Sequence, residues 1–348
     1  LAAHLLTEKF CYHQPYYRQE WKLKISHGIE LDRSLMCKWQ KHLATLCLPL
    51  HQLIATQLRS SPYLRVDETP ISYLEPGTGK AQKGYLWTYH SSDHGVLYDW
   101  HIGRSNTCLD NILIDPEGRD SFEGFLQSDG FKGYQTFLKR CEERHLKITP
   151  ISCLAHIRRK FFDARSDHPK VSAWILYQIS KIYHLESRLA RRRARPTLRK
   201  RARKLLLTRT FQHLENLFSH LRKNRKNILP KSNLGKALNY AIDQWPKLEP
   251  CLEEEQIAWD NNRVENDIRP TKLGAKNWLF IGLAETGWQS AVIYTLIEQI
   301  RSKAKDPAAY LTWLFEKLIN EPPAEELPDL LPASWLVRQE SKLQSQAA

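Results

Sequence analysis

Tyr63-Leu64-Arg65-Val66-Asp67-Glu68-Thr69-Pro70 is the stretch on which the reading of the fold turns. Ahead of it, apolar residues recur at helical spacing, in His4-Leu5-Leu6 through Phe10 and again from Leu35 through Leu58. From Tyr63 the period drops to two, which predicts a short strand over Tyr63–Asp67 with Glu68-Thr69-Pro70 as its stop. The runs Gly84–His90 (GYLWTYH) and Gly95–Trp100 (GVLYDW) are rich in aromatic and β-branched residues. They flank Ser91-Ser92-Asp93-His94, and the pattern predicts a hairpin. A helix is expected over 105–114 and a fourth strand at Phe125–Ser128, stopped by Asp129-Gly130. A helix over 131–144 and a fifth strand between Lys147 and Cys153 complete this part.

Three meandering strands, a helix, a strand, a helix and a strand is the element order of a ribonuclease-H-like α/β domain. Around it the chain reads as helical. Residues 1–60 predict a helical segment in which Gly28 breaks the pattern and Asp32 or Ser34 offers an N-cap. Helix, glycine turn and helix is the outline of a helix-turn-helix reader, but the pattern is more simply that of a lead-in that packs on the next domain. The expected division is 1–60 helical, 61–154 the first part of the α/β domain, and 155–258 a basic all-helical insertion. A C-terminal group of helices over 259–320 and a loose, extended Pro-rich tail over 321–348 (Pro322, Pro323, Pro328, Pro332) complete it. The fold class is therefore α/β, a mixed sheet flanked by helices and interrupted by a large helical insertion.

The composition is that of a globular chain: 348 residues, 42% hydrophobic, with 11 Trp, 14 Tyr and 11 Phe for its cores. Lys and Arg number 52 against 38 Asp and Glu, a net charge of +14, which suits a polyanionic partner and nucleic acid first among them. No stretch approaches the length of a membrane-spanning helix, and residues 1–25 lack the layout of a signal peptide. No membrane partner is expected. The seven Cys are scattered without a CxxC pair, which fits a reduced cytoplasmic compartment. The chain opens on Leu1 instead of Met, so an upstream segment is expected.

Asp67 and Asp129 stand at two predicted strand ends. On the topology above, the first strand lies beside the fourth, so the two carboxylates would be neighbours. Cleaving a phosphodiester by in-line attack requires charge stabilisation on both the attacking and the leaving oxygen. Two Mg²⁺ ions about 3.5–4 Å apart supply it, and they prefer carboxylate oxygens. Each Asp also has an ordinary reading as a turn residue before Glu-Thr-Pro or Gly. Glu265 in Asn262-Arg263-Val264-Glu265 has an ordinary reading too, as the third-position acid of a capping box with Asn262 at the N-cap.

Several stretches together resemble the transposase family of insertion-sequence-66-type mobile elements. They are Leu64–Pro70 (LRVDETP), Lys83–His90 (KGYLWTYH), Gln127–Tyr134 (QSDGFKGY), Cys153–Phe162 (CLAHIRRKFF) and Trp259–Phe280 (WDNNRVENDIRPTKLGAKNWLF). His13–Gln19 (HQPYYRQ), Gly287–Leu296 (GWQSAVIYTL) and Asp306-Pro307 belong to the same set, which runs in order from about residue 5 to 335. The resemblance implies a ribonuclease-H-like fold with a helical insertion before the helix that bears the Glu. It implies Asp67, Asp129 and Glu265 as the three metal-binding catalytic acids, and two Mg²⁺ (or Mn²⁺) ions as cofactors. It also implies transposon ends and target DNA as substrates, a homo-oligomer assembled on DNA, and accessory proteins of the same element as partners. Asn261, Asn262 and Arg269 match the motif around the Glu, while Asn266 stands where many members have Arg. Longer members carry a Cys-rich zinc module and a DNA-binding segment ahead of this region, so end recognition is expected to need residues outside this chain.

The candidate DNA contacts are cationic. Arg158, Arg159 and Lys160 form one group, and Arg269 and Lys272 lie on the helix that follows the motif. The run from Arg188 to Lys204 has ten Lys and Arg and no acid, and within it Arg191, Arg192, Arg193, Arg199, Lys200 and Arg201 are the expected phosphate contacts. A solvated helix face is the bland alternative for this run, as an ion pair with Glu265 is for Arg269. Cys153-x-x-His156 has the form of half a zinc site without a second pair. Three activities fit these readings. One is a transposase catalytic region, another a non-catalytic DNA-binding derivative of one, and the third a structure-selective nuclease on the same fold.

Overall fold

The computed structural model describes residues 1–115, 117–224 and 228–347. Three helices lead the chain, α1 (Ala2–Phe10), α2 (Tyr16–His27) and α3 (Arg33–Arg59). Then come β1 (Tyr63–Leu74), β2 (Ala81–Ser91), β3 (Gly95–His101), α4 (Asp110–Leu113), β4 (Gly124–Gln127), α5 (Lys132–Glu143) and β5 (Ile148–Ile151). The remainder is helical: α6 (Leu154–Asp163), α7 (Pro169–Arg191), α8 (Pro196–Lys223), α9 (Asn233–Gln244) and α10 (Pro250–Glu253), followed by α11 (Asn262–Trp278), α12 (Gly287–Arg301), α13 (Pro307–Leu318) and α14 (Pro332–Ala347). The class is mixed α/β, with five strands in one mixed sheet. No helix among the described residues is long and apolar enough to cross a membrane, and all seven Cys are free thiols.

Local signals set many of these boundaries. Gly28 ends α2 at φ 64°, a left-handed conformation that costs glycine little. Asp32 caps α3, its Oδ1 accepting from the Ser34 N–H at 2.7 Å. Two expectations are corrected. The first strand does not stop at Asp67 but runs on to Leu74, in antiparallel register with β2 throughout, from Arg65 opposite His90 to Leu74 opposite Ala81. Pro70 does not break it and lies within the stretch paired with β2, opposite Tyr85. The Pro-rich end is not extended either. A 3-10 segment over Ala324–Leu330 leads into α14, with Pro332 in its first turn, where a missing N–H costs nothing. Leu330, Leu331 and Trp335 are buried, and Tyr310 donates its hydroxyl to the Leu330 carbonyl at 2.9 Å.

The chain divides into two units. The first comprises Leu1–Gly124, Lys139–Lys147 and Arg263–Ala348, and the second Phe125–Leu138 and Ile148–Asn262. In the first, β1, β2 and β3 form an antiparallel meander, Tyr85–Ser91 of β2 pairing with Gly95–His101 of β3. Helix α12 is buried on every side, as a helix inside a core must be. Its Thr295 Oγ1 accepts from Tyr98 N–H at 3.0 Å, and its Gln299 amide donates to the carbonyls of His94 and Val96. From α3, His51 Nε2 reaches the Tyr98 carbonyl at 2.8 Å. Strand β4 opens at Gly124 (φ 144°), where an added Cβ would lie 2.5 Å from the Pro62 carbonyl oxygen just ahead of β1.

In the second unit, α6 to α9 bury a cluster of rings. Phe161 stacks on Phe218 at 5.4 Å, Phe211 on Trp245 at 4.9 Å, and the Trp245 indole donates to the Phe211 carbonyl. Ser128 N–H, just past β4, donates to Ile151 O, and the buried Gln127 amide donates to the carbonyls of Ser152 and Ala258. The end of β4 is thereby tied to the segment that leads into α11.

Candidate active site

Asp67 lies in the interior of β1, opposite Thr88 of β2. Side chains alternate along a strand, so Asp67 shares its face with Arg65, and through the register with His90 and Thr88 of β2 and Tyr98 of β3. Asp67 Oδ1 accepts from the Glu68 N–H at 2.9 Å. Glu68 itself faces the other way, buried and ion-paired with Arg104. The VDET stretch thus sends one acid to each face, and Glu68 is spent on structure.

Helix α11 is fastened to the Asp67 face. His90 Nδ1 lies 2.8 Å from Asp267 Oδ2. The Tyr98 hydroxyl donates to the Asp267 carbonyl at 2.5 Å, and Lys272 Nζ donates to the Pro70 carbonyl at 3.1 Å. Burial lowers the pKa of His90, against the pull of Asp267 and with help from Arg65 and Arg263. Burial also lowers that of Lys272, with Lys276 adding to it. Glu265 stands in the first turn of this fastened helix, two residues ahead of Asp267.

The capping reading of Glu265 does not describe the helix start. Asp260 Oδ1 accepts from the Asn262 N–H at 3.2 Å, and Glu265 makes no hydrogen bond or ion pair among the described residues. Nor does Arg269 pair with it; Arg269 is exposed, as is Lys272.

Asp129 belongs to the second unit. It follows β4, and its Oδ1 accepts from the Phe131 N–H at 2.9 Å, the turn role expected of an Asp before glycine. Its other oxygen stays unused among the described residues. Gly130 is required there, since a Cβ would meet the Tyr240 ring at 2.6 Å, and the Tyr240 hydroxyl accepts from its N–H. Asp67, Glu265 and Asp129 are all oxygen donors, the set that hard Mg²⁺ or Mn²⁺ takes, so the residues present fit the expected cofactor in kind.

The basic candidates divide by burial. Arg158, Arg159 and Lys160 on α6 are exposed, as are Arg191, Arg192, Arg193 and Arg201, while Arg199 and Lys200 are half-buried. Arg203 in the same run is buried. It makes a bidentate pair with Glu186 and donates to the carbonyls of Cys251, Glu254 and Ile257. Cys153 is buried, its thiol raised to about 12 chiefly by burial, and its sulfur accepts from Asn261 N–H. His156 nearby has a buried Nδ1 without a hydrogen-bond partner among the described residues.

Reading the residues alone missed Arg65, which looked like one more strand residue and proves to be a buried cation on the Asp67 face. It also missed Asp267 and His90, the pair that fastens α11. A polar His in an otherwise aromatic strand was the available signal for the latter.

Together these features describe a mixed α/β chain with hard oxygen donors on a sheet face, at a strand end and at a helix start, and with exposed cations in each unit. The chain belongs to the transposase IS66 family, whose model matches residues 1–288. It is 29% identical over 346 residues to the uncharacterized protein y4jD of Sinorhizobium fredii, covering 96% of this chain and 65% of that protein. It is 28% identical over 343 residues to the uncharacterized protein y4qI of the same organism, covering 95% and 61%. The chain thus spans less than two thirds of the length of these relatives.

Proposed function

We propose that this chain is the catalytic region of a DNA transposase with a ribonuclease-H-like sheet, in which Asp67, Asp129 and Glu265 hold two Mg²⁺ or Mn²⁺ ions. The observation that supports this reading most directly is that α11, which bears Glu265 in its first turn, is fastened through Asp267 and Lys272 to the sheet that bears Asp67, while Glu265 makes no hydrogen bond or ion pair among the described residues. Family membership supports DNA as the substrate.

When bound, the ions stabilise charge on the attacking and leaving oxygens of an in-line phosphoryl transfer. The protein supplies carboxylates on backed elements, Asp67 within a strand and Glu265 on a helix anchored at two residues. Hydrolysis adds water across the phosphodiester at the transposon end and leaves a 3′-hydroxyl and a 5′-phosphate. In the second step that 3′-hydroxyl attacks a target phosphodiester, forming one ester bond and releasing a target 3′-hydroxyl with its proton. Arg158, Arg159, Lys160, Arg191, Arg192, Arg193, Arg199, Lys200 and Arg201 grip backbone phosphates, with Arg269 and Lys272 nearest the catalytic helix. The working form is a homo-oligomer on DNA in the bacterial cytoplasm, with accessory proteins of the same element.

Purified chain incubated with labelled element-end DNA, a target plasmid and Mg²⁺ should yield nicked ends and joined products. Asp67→Asn, Asp129→Asn and Glu265→Gln should each lower cleavage by about 100-fold or more, since even outer-shell partners of metal ligands cost ~10–100-fold. DNA binding by gel shift should persist. Normal cutting by Glu265→Gln would remove that residue from the site. Cutting without joining would mark a nuclease, and binding without cutting a non-catalytic derivative.

A further inference from the structure

Within the first unit a cavity of about 540 Å³ opens on the Asp67 face, beside the β2–β3 turn. Its size is that of a small-ligand site. Arg65 lines it, only 9% exposed, and its Nε donates to the Tyr63 hydroxyl at 2.9 Å. Among the described residues no carboxylate pairs with Arg65, although a buried charge without a counter-charge is costly. Arg263 and Lys303 line the same cavity. The acids nearby do not balance them. Asp267 is shared between His90 at 2.8 Å and Arg263 at 3.6 Å, and Asp93 lies at the turn. The 16-residue helix α14 begins at the wall with Pro332 and Ala333, adding the positive end of its dipole. Leu331, Leu336 and Ile54 make the rest of the wall apolar.

A buried cation lacking an acid, a second arginine and a helix N-terminus call for an anion, and the apolar wall calls for a flat organic group attached to it. We propose that this cavity binds one phosphate-bearing nucleotide unit of a DNA strand, with its phosphate on Arg65 and Arg263 and its base against Leu331 and Leu336. The choice of a nucleotide over other organic phosphates rests on the reading of the chain as a DNA-processing enzyme. Arg65 is two positions from Asp67 and on the same face of β1, so a strand held here runs toward that acid.

The test is calorimetric titration of the whole chain in EDTA. The probes are deoxyadenosine monophosphate, a single-stranded hexanucleotide, deoxyadenosine and inorganic phosphate. Both phosphorylated nucleotide probes should bind saturably, the hexanucleotide more tightly. Deoxyadenosine should not bind, and inorganic phosphate should bind at least about 10-fold more weakly. Arg263→Gln, half exposed and safe for folding, should weaken the monophosphate about 10-fold, and Arg65→Gln by about 10–100-fold, the worth of a charge-assisted bond. Equal binding of deoxyadenosine, equal binding of inorganic phosphate, or wild-type affinity in Arg263→Gln would each overturn the proposal. A chain that binds the monophosphate in this way yet never cuts DNA would retain the cavity and lose the catalytic reading. One that cuts DNA but shows no arginine-dependent binding would do the reverse.

Discussion

Side by side in one basic run, Arg201 and Arg203 have opposite fates. Arg203 is 2% exposed, paired with Glu186 and bonded to three carbonyls, whereas Arg201 faces solvent. Removing one partner of a buried pair leaves the other uncompensated, so Arg203→Met should cost about 3–5 kcal/mol in urea unfolding. Arg201→Gln should change stability by less than about 0.5 kcal/mol. Its effect should appear on DNA, where losing one phosphate contact lowers the slope of log K against log salt by about 1. A stability loss of several kcal/mol in Arg201→Gln, or none in Arg203→Met, would reverse these assignments. At the same scale, Glu265 was legible as an acid at a helix start but not as a free one. That depended on Asp260 taking the first-turn N–H.

At the scale of elements, two joints carry predictions. Helix α12 starts against the meander, where Trp100 is wedged between two glycines. An added Cβ at Gly84 would lie 2.2 Å from its ring, and at Gly287 2.3 Å. The ring is held in place by its indole N–H, which donates to the Ala284 carbonyl at 2.8 Å. Gly287→Ala should therefore destabilise by about 1–3 kcal/mol through overpacking, read as a lower midpoint in thermal unfolding. The other joint is His51, which fastens α3 to β3. A carbonyl only accepts, so the ring donates from Nε2. Burial holds the folded-state pKa of His51 below its ordinary 6.5, partly opposed by the Tyr98 carbonyl and Asp99. Below that ordinary value the unfolded chain takes up a proton the folded chain resists. The stabilisation is present above about pH 6.5 and is lost as pH falls toward the depressed folded value. Thermal midpoints should drop between pH 7 and pH 5, and drop less in His51→Gln. An unchanged pH profile in that variant would exclude His51 as a source.

For the whole molecule, a net charge of +14 makes association with DNA a matter of counterion release. If the exposed cations contact about six phosphates, affinity for duplex DNA of any sequence should fall about 10³-fold between 50 and 200 mM salt. A flat salt response in a filter-binding assay would deny the basic surface this role.

Local signals in the sequence determined most of the elements. The change of period at Tyr63, the Gly28 break, the Asp32 cap and the aromatic hairpin are all preferences of the backbone or of near neighbours, and they act wherever they occur. The three acids had ordinary local readings as turn and capping residues, and their proposed role came from the family resemblance. Tertiary structure decided what each charge is for. Arg203 is structural because Glu186 and the carbonyls of Cys251, Glu254 and Ile257 converge on it, and Arg65 is poised for an anion because among the described residues no acid does. Tertiary contacts likewise made α14 a packed helix where its prolines suggested an extended end. The free energy of a buried charge or an apolar face depends on partners brought in from distant positions, and no local spacing encodes them.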